Sequence, residues 1–244
     1  IHLIEDVCES HGAKHKNKKL GTFGIASNFS FYYAHHMTTI EGGMICTNDD
    51  EIFQYAKMFR SHGMTRLDYL QNDELGYKLQ KKYEISHPNL NPLFTFAVPG
   101  YNMRNQELNA ILGLSQLERL DYNIDRRIEN LNNWIEFLDD GKFFTNFETD
   151  GNSNFALPLI VLDKNKDRFF RVCQILERNQ VEYRVGTAGG GNQAKQPYLE
   201  KYDYYAGDLP NSDYIHEFSL YVGNHPELKR EQIKELCEKL NEES

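Results

Sequence analysis

Through the first 62 residues short apolar runs alternate with polar loops and one capped helix, an order that few folds accommodate. Ile1–Glu5 ("IHLIE") reads as a strand, "HGAKHKNKKLGTFG" as a Gly- and Lys-rich loop, Asn28–Tyr33 as a second strand and Gly43–Thr47 ("GMICT") as a third. "NDDEIFQYAKMFRSHG" then carries an Asn/Asp cap, Ile52, Phe53, Ala56 and Phe59 at helical spacing, and a closing Gly63. This order predicts an α/β layer on a mixed or parallel sheet. A buried strand at the first residue needs sheet neighbours and covering helices, so we expect a further segment encoded upstream of Ile1.

Residues 64–100 are polar, weakly periodic and interrupted by Pro88, Pro92 and Pro99, which suggests a functional connection, a lid or a subunit contact. Residues 105–140 are strongly helical. Leu108, Ile111, Leu112, Leu114 and Leu117 line one face, and Ile124, Ile128, Leu131, Trp134 and Leu138 continue the pattern in two helices or one bent one. From about residue 150, "FALPLIVL" and "VEYRV" read as strands and "KDRFFRVCQILERNQ" and "KREQIKELCEKLNEE" as helices, with "GTAGGGNQAKQP" as a Gly-rich loop. The expected division is residues 1–125 for a larger domain and 126–244 for a small α+β one.

The net charge of −9, with no basic run longer than "KNKK", argues against nucleic acid as a partner. Cys8, Cys46, Cys173 and Cys237 lie far apart with no C-x-x-C pair, as expected of reduced thiols in an intracellular protein. The longest apolar run, "FALPLIVL", is too short to span a bilayer, and no signal peptide is visible.

Three stretches could carry chemistry. In "IEDVCESHG", Asp6 ends a strand where α/β folds gather ligands, and it could equally cap a helix beginning just after it. In "SNFSFYYAHHMTTIEGG", Ser30 and the glycines beyond it suit a phosphate, or simply a half-buried strand and its turn. Neither the adjacent His35 and His36 nor the His11/His15 pair in its loop has the companions of a metal site, and no metal is expected. In "VPGYNMRNQEL", Tyr101, Asn102 and Arg104 precede a helix and could meet an anion or belong to the surface.

Taken in order, "ED-x-x-x-S-H-G", "FSFYYAHH-x-TT-x-EGG-x-x-x-TND" and "GYN-x-R-x-x-EL-x-A-x-x-GL-x-QL-x-RLD" resemble the DegT/DnrJ/EryC1/StrS sugar aminotransferases, which are fold-type I pyridoxal-phosphate enzymes. The resemblance implies a partial large domain with a mixed sheet plus a small C-terminal α+β domain. It places a phosphate-binding pair of small residues and a ring-stacking aromatic upstream of Ile1. Asp6 matches the aspartate that pairs with the cofactor's pyridine nitrogen, and Ser30 the serine that binds its phosphate. Glu9 falls where the family often has a glutamine near the cofactor. Asn102 matches an asparagine that reaches the phosphate from a neighbouring subunit, which implies a homodimer with shared active sites.

His35 occupies the position of the lysine that binds the cofactor aldehyde covalently, and no lysine lies between Lys19 and Lys57. Imidazole makes no such stable bond, but it can move a proton near neutral pH. In this the chain resembles the sugar 3-dehydratases acting on GDP-4-keto-6-deoxymannose or CDP-4-keto-6-deoxyglucose, with "GGGNQAKQPY" a looser likeness. The implied reaction uses pyridoxamine phosphate at the sugar's 4-keto group, His35 as proton acceptor, loss of the 3-hydroxyl, and glutamate to restore the cofactor. The CDP-sugar branch needs an iron–sulfur centre, and the scattered cysteines favour the GDP-sugar branch. An ordinary nucleotide-sugar aminotransferase and a non-catalytic homologue are the competing readings. Arg104, Arg184, Asn192 and His225 are candidate substrate contacts, and a cytoplasmic enzyme of deoxysugar or lipopolysaccharide synthesis is expected.

Overall fold

The computed structural model describes residues 1–66, 73–186 and 190–243. They form two compact units, Ile1–Leu120 and Asp121–Ser244.

The first unit is built on a mixed sheet ordered β1-β4-β5, where β1 is Ile4–Asp6, β4 is Ala26–Ser30 and β5 is Gly43–Thr47. β1 runs parallel to β4, with Asp6 opposite Asn28, and β5 runs antiparallel to β4, with Gly43 opposite Ser30. Between β1 and β4 the expected loop contains a two-residue-strand hairpin, β2 (Lys14–His15) and β3 (Lys18–Lys19). Lys16 and Asn17 both take positive φ, 49° and 64°, as a tight turn matched to strand twist requires. β1 begins three residues later than the apolar run suggested, and β4 is shifted two to three residues toward the N-terminus.

Helix α1, Asp50–Arg60, starts as its sequence dictates. Asp49 accepts the N–H of Ile52 at 2.9 Å, Asp50 and Glu51 occupy the first turn, and Lys57 and Arg60 the last. The stretch after it is not structureless: α2 spans Glu74–Ser86, capped by Asp73 on Gly76 N at 2.9 Å, and Lys57 reaches back to pair with Asp73. The N-terminal part of this connection, residues 67–72, lies outside the described residues. Residues 105–140 form two helices, α3 (Glu107–Leu117) and α4 (Leu120–Phe137). The apolar face of α3 is not buried among the described residues: Leu108, Ile111, Leu114 and Leu117 are 56–69% exposed.

The second unit holds an antiparallel sheet ordered β6-β8-β7, with β6 at Ala156–Ile160, β7 at Tyr183–Val185 and β8 at Ser219–Gly223. Helices α5 (Lys166–Arg178), α6 (Pro210–Phe218) and α7 (Arg230–Glu243) complete it. Leu157 and Leu159 point inward from β6 at period two; Val172, Ile175 and Leu176 of α5 and Ile233, Cys237 and Leu240 of α7 do so at helical spacing. Trp134 of α4 sits fully enclosed among them, its indole N–H donating to Pro158 O at 2.8 Å. Beneath α4 lies a buried polar circuit. Arg127, buried and with its guanidinium pushed down to about 10 by burial, donates to the carbonyls of Phe155 (3.1 Å) and Asn224. Asn224 returns bonds to Arg127 O (2.9 Å) and Asn154 O (3.0 Å), and Asn130 bonds both Asn224 Oδ1 and His225 O at 2.9 Å.

Candidate active site

Because β1 and β4 are parallel, their C-terminal ends come together, and that is where Asp6 and Ser30 lie. Asp6 and its register partner Asn28 face one side of the sheet, and Ser30, two residues on, faces the same side. Asn28 Nδ2 donates to Asp6 Oδ1 at 3.0 Å and lies 3.1 Å from Cys8 Sγ, while Cys8 N donates to the same carboxylate oxygen at 3.2 Å. The thiol and backbone N–H of Cys8, helped by Asn28 and the charge of His35, hold the Asp6 carboxyl below the usual range. The Cys8 thiol is pushed up to about 11 by burial and by Asp6. Glu5 faces the other way and accepts the backbone N–H groups of Gly21 (2.6 Å), Phe23 (2.6 Å) and Gly24 (2.7 Å), which ties the loop before β4 to β1.

Ser30 Oγ accepts from Tyr32 N at 3.2 Å, which leaves its own hydrogen as a donor. The chain then makes the turn that carries His35. Its neck is closed by Phe31 N to Gly42 O and Thr39 N to Phe31 O, both 2.9 Å, and Asn109 of α3 donates to Thr39 O at 2.7 Å. Gly42 must be bare, since a Cβ there would lie 2.6 Å from Thr39 Oγ1. Within the turn His35 N bonds Tyr32 O at 3.0 Å, the two rings meet edge-on at 5.5 Å, and His35 Nε2 lies 3.7 Å from Glu9 Oε1. Asp6, Glu9 and His35 are thus gathered at one place, with Ser30 on the adjoining strand end.

Asn102 is held elsewhere on the same unit. Residues 101–103 zip onto the end of α1 through His62 N to Tyr101 O (2.6 Å) and Met103 N to Arg60 O (2.9 Å), with Ser61 bridged to Asn102. This requires Gly63 (φ 79°) and Gly100, because a Cβ on either would fall about 2 Å from the other segment's backbone. The Asn102 side chain remains exposed. Asn192 and His225 are engaged in local structure: Asn192 donates to Asp213 at 2.7 Å and caps Ala194 N, and His225 Nδ1 accepts from Glu227 N at 3.3 Å. Arg184 lies in β7 opposite Tyr221, and Arg104 is exposed ahead of α3. Residues 187–189 of the Gly-rich loop lie outside the described residues.

The sequence reading missed Asn28, whose role depends on strand register, and His11. His11 is buried against Phe29, Phe31 and His36 at ring distances of 5.5–5.9 Å, and neither ring nitrogen has a hydrogen-bond partner among the described residues. Burial, with the charge of His35, pushes His11 down to about 4. Between pH 6.5, where an unfolded histidine titrates, and about 4, the unfolded chain binds a proton that the folded chain refuses. Stability should therefore decrease as the pH is lowered across that window, by about 3 kcal/mol from this residue. Urea melts from pH 7 to 4 test it: His11→Phe should flatten this part of the curve, and identical slopes would refute it.

An ionised carboxylate and a hydroxyl at parallel strand ends, with an imidazole on the next turn, make a candidate ligand site at the strand ends of an α/β fold. A profile of the DegT/DnrJ/EryC1/StrS aminotransferase family matches residues 1–241. The chain belongs to that family. It is 32% identical over 238 residues to GDP-4-keto-6-deoxy-D-mannose 3-dehydratase of Yersinia pseudotuberculosis, covering 97% of this chain and 58% of that protein. It is 34% identical over 229 residues to the protein of the same name from Escherichia coli O55:H7, covering 92% and 56%. A solved structure of GDP-4-keto-6-deoxymannose-3-dehydratase with a trapped PLP-glutamate geminal diamine matches with a TM-score of 0.84 and 31% identity, over 98% of this chain and 61% of that one. The chain therefore has the α/β fold of these pyridoxal-phosphate enzymes, and it spans a little over half the length of the relatives it matches.

Proposed function

We propose that this chain works as a nucleotide-sugar 3-dehydratase that uses pyridoxal or pyridoxamine 5'-phosphate, with a GDP-linked 4-keto-6-deoxy sugar as substrate and glutamate as amino donor. The observation that carries the reading is His35, an imidazole beside Asp6 and Glu9 on the turn after β4. The relatives named for this reaction, and the glutamate adduct in the similar solved structure, support it.

The residues present fit the cofactor. Asp6, kept ionised by Cys8 and Asn28, is an acceptor for a protonated ring nitrogen, and Ser30 offers a hydroxyl donor for the phosphate. When bound, the cofactor supplies the amine that joins the sugar's keto carbon and the ring that accepts electron density. The chain's part is to hold Asp6 in its charged form, to fix the phosphate at Ser30, and to take up a proton at His35 Nε2. His35 forms no stable covalent link to an aldehyde, which disfavours an ordinary aminotransferase.

The reading includes a homodimer in which Asn102 completes the neighbour's site. The exposed Asn102 side chain and the exposed apolar face of α3 support it. The free cysteines are consistent with a reducing compartment, and we place the protein in the cytoplasm. The test is incubation of the purified protein with pyridoxamine phosphate and GDP-4-keto-6-deoxymannose, followed by mass spectrometry for net loss of one oxygen from the sugar as its 3-hydroxyl is replaced by hydrogen, with the CDP-linked glucose series in parallel. Turnover of the GDP sugar is expected. Bound cofactor without turnover of either series would sink the dehydratase reading.

A further inference from the structure

Glu9 and His35 are 26 positions apart in sequence, yet the fold sets His35 Nε2 and Glu9 Oε1 3.7 Å apart, within ion-pairing range. The two side chains differ in their access to water: His35 is 11% exposed and Glu9 35%. Other groups act on His35. Asp6 and His11 are electrostatically coupled to it and Tyr32 stands edge-on to its ring, but Asp6 is already engaged with Cys8 and Asn28, and His11 is buried beneath. Glu9 is the carboxylate at the Nε2 side, and it leads outward.

We propose that Glu9 is the positioning residue of His35, its carboxylate orienting the imidazole and receiving the proton that His35 takes up. The role rests on the reaction proposed above for its catalytic meaning. The proton leaves carbon without its electron pair, binds Nε2 to make an imidazolium, passes to the Glu9 carboxylate and leaves to water. The electron pair stays behind, and the proton transfer by itself changes no oxidation state. A glutamine at this place could hold the ring but could not carry the proton, so it separates orientation from transfer.

The experiment compares the chain with Glu9→Gln and Glu9→Asp. In the cofactor-free protein, long-range proton–nitrogen NMR follows each imidazole, with His35 assigned by the signal lost in His35→Asn. Removing the carboxylate should move the midpoint of the His35 titration to lower pH by about half a unit to one unit, with Glu9→Asp in between. In the loaded protein, Glu9→Gln should lower kcat about tenfold to a hundredfold with KM little changed, shift the acid limb of the pH profile, and recover partly in Glu9→Asp. Circular dichroism confirms that the variants fold. A His35 titration unmoved by Glu9→Gln would overturn the pairing, whatever the activity. A moved titration with an unchanged kcat and pH profile would overturn the proton transfer. If the parent chain turns over no sugar while the titration still depends on Glu9, the proposed reaction fails and the pairing stands.

Discussion

His35→Asn is expected to fold and bind cofactor while losing about a hundredfold to ten-thousandfold in kcat, the span covered by a single positioned acid–base group. Asparagine is close in size to the imidazole and can keep a polar contact toward Glu9, so the turn closed by Phe31, Thr39 and Gly42 should persist. What it lacks is a nitrogen that binds and releases a proton near neutral pH. If sugar binding does not use that proton, KM should hardly move, and the loss should appear in kcat and kcat/KM alike. The reciprocal variant, His35→Lys, should retain cofactor covalently, read as coenzyme that survives dialysis after borohydride reduction. A His35→Asn protein within threefold of its parent would place the proton acceptor elsewhere.

Trp134→Ala should cost about 3–5 kcal/mol, the range for emptying a large aromatic site in a packed core. The indole is wholly enclosed in a core drawn from α4, α5, α7, β6 and β8, so the void would open at the centre of the second unit. The deletion also strips the carbonyl of Pro158 of its donor. Trp134→Phe keeps most of the volume and should cost far less, nearer the worth of one hydrogen bond plus a small gap. Urea unfolding followed by circular dichroism makes the comparison, with a lower midpoint at unchanged slope as the expected signature. Since the chain has one tryptophan, the parent's fluorescence reports this unit alone. A midpoint loss no larger in Trp134→Ala than in Trp134→Phe would mean the site collapses freely.

The features legible in the sequence were mostly local. α1 is announced by Asp49 and closed by Gly63, and the β5 boundaries come from "GMICT" directly. The motif that singles out His35 lies within one turn, so neighbouring residues suffice to mark it. Contacts between distant segments were hidden. Asn28 meets Asp6 only because β1 and β4 pair in a particular register, and asparagine in a strand gives no sign of what it faces. β8 is not legible in the sequence, although it is the central strand of its sheet, because "SLYVG" is short and comes after α6 without a glycine or proline between them. α2 was obscured by Gly76 and by its polar composition, and it is anchored by Asp73 and Lys57, whose pairing no helical period reveals. The apolar repeat of α3 was legible as a helix, but periodicity names an apolar face without naming what covers it.

The circuit of Arg127, Asn130 and Asn224 has a consequence for how such a chain can drift over generations. Each member satisfies groups that the others would leave dry and unbonded, and Arg127 carries its charge among carbonyls rather than against an acid. Changing one alone strands the rest, while changing all three to apolar residues of similar shape could be tolerated. Among relatives the three positions should therefore be inherited as a set: retained together, or exchanged together, with mixed combinations purged by selection.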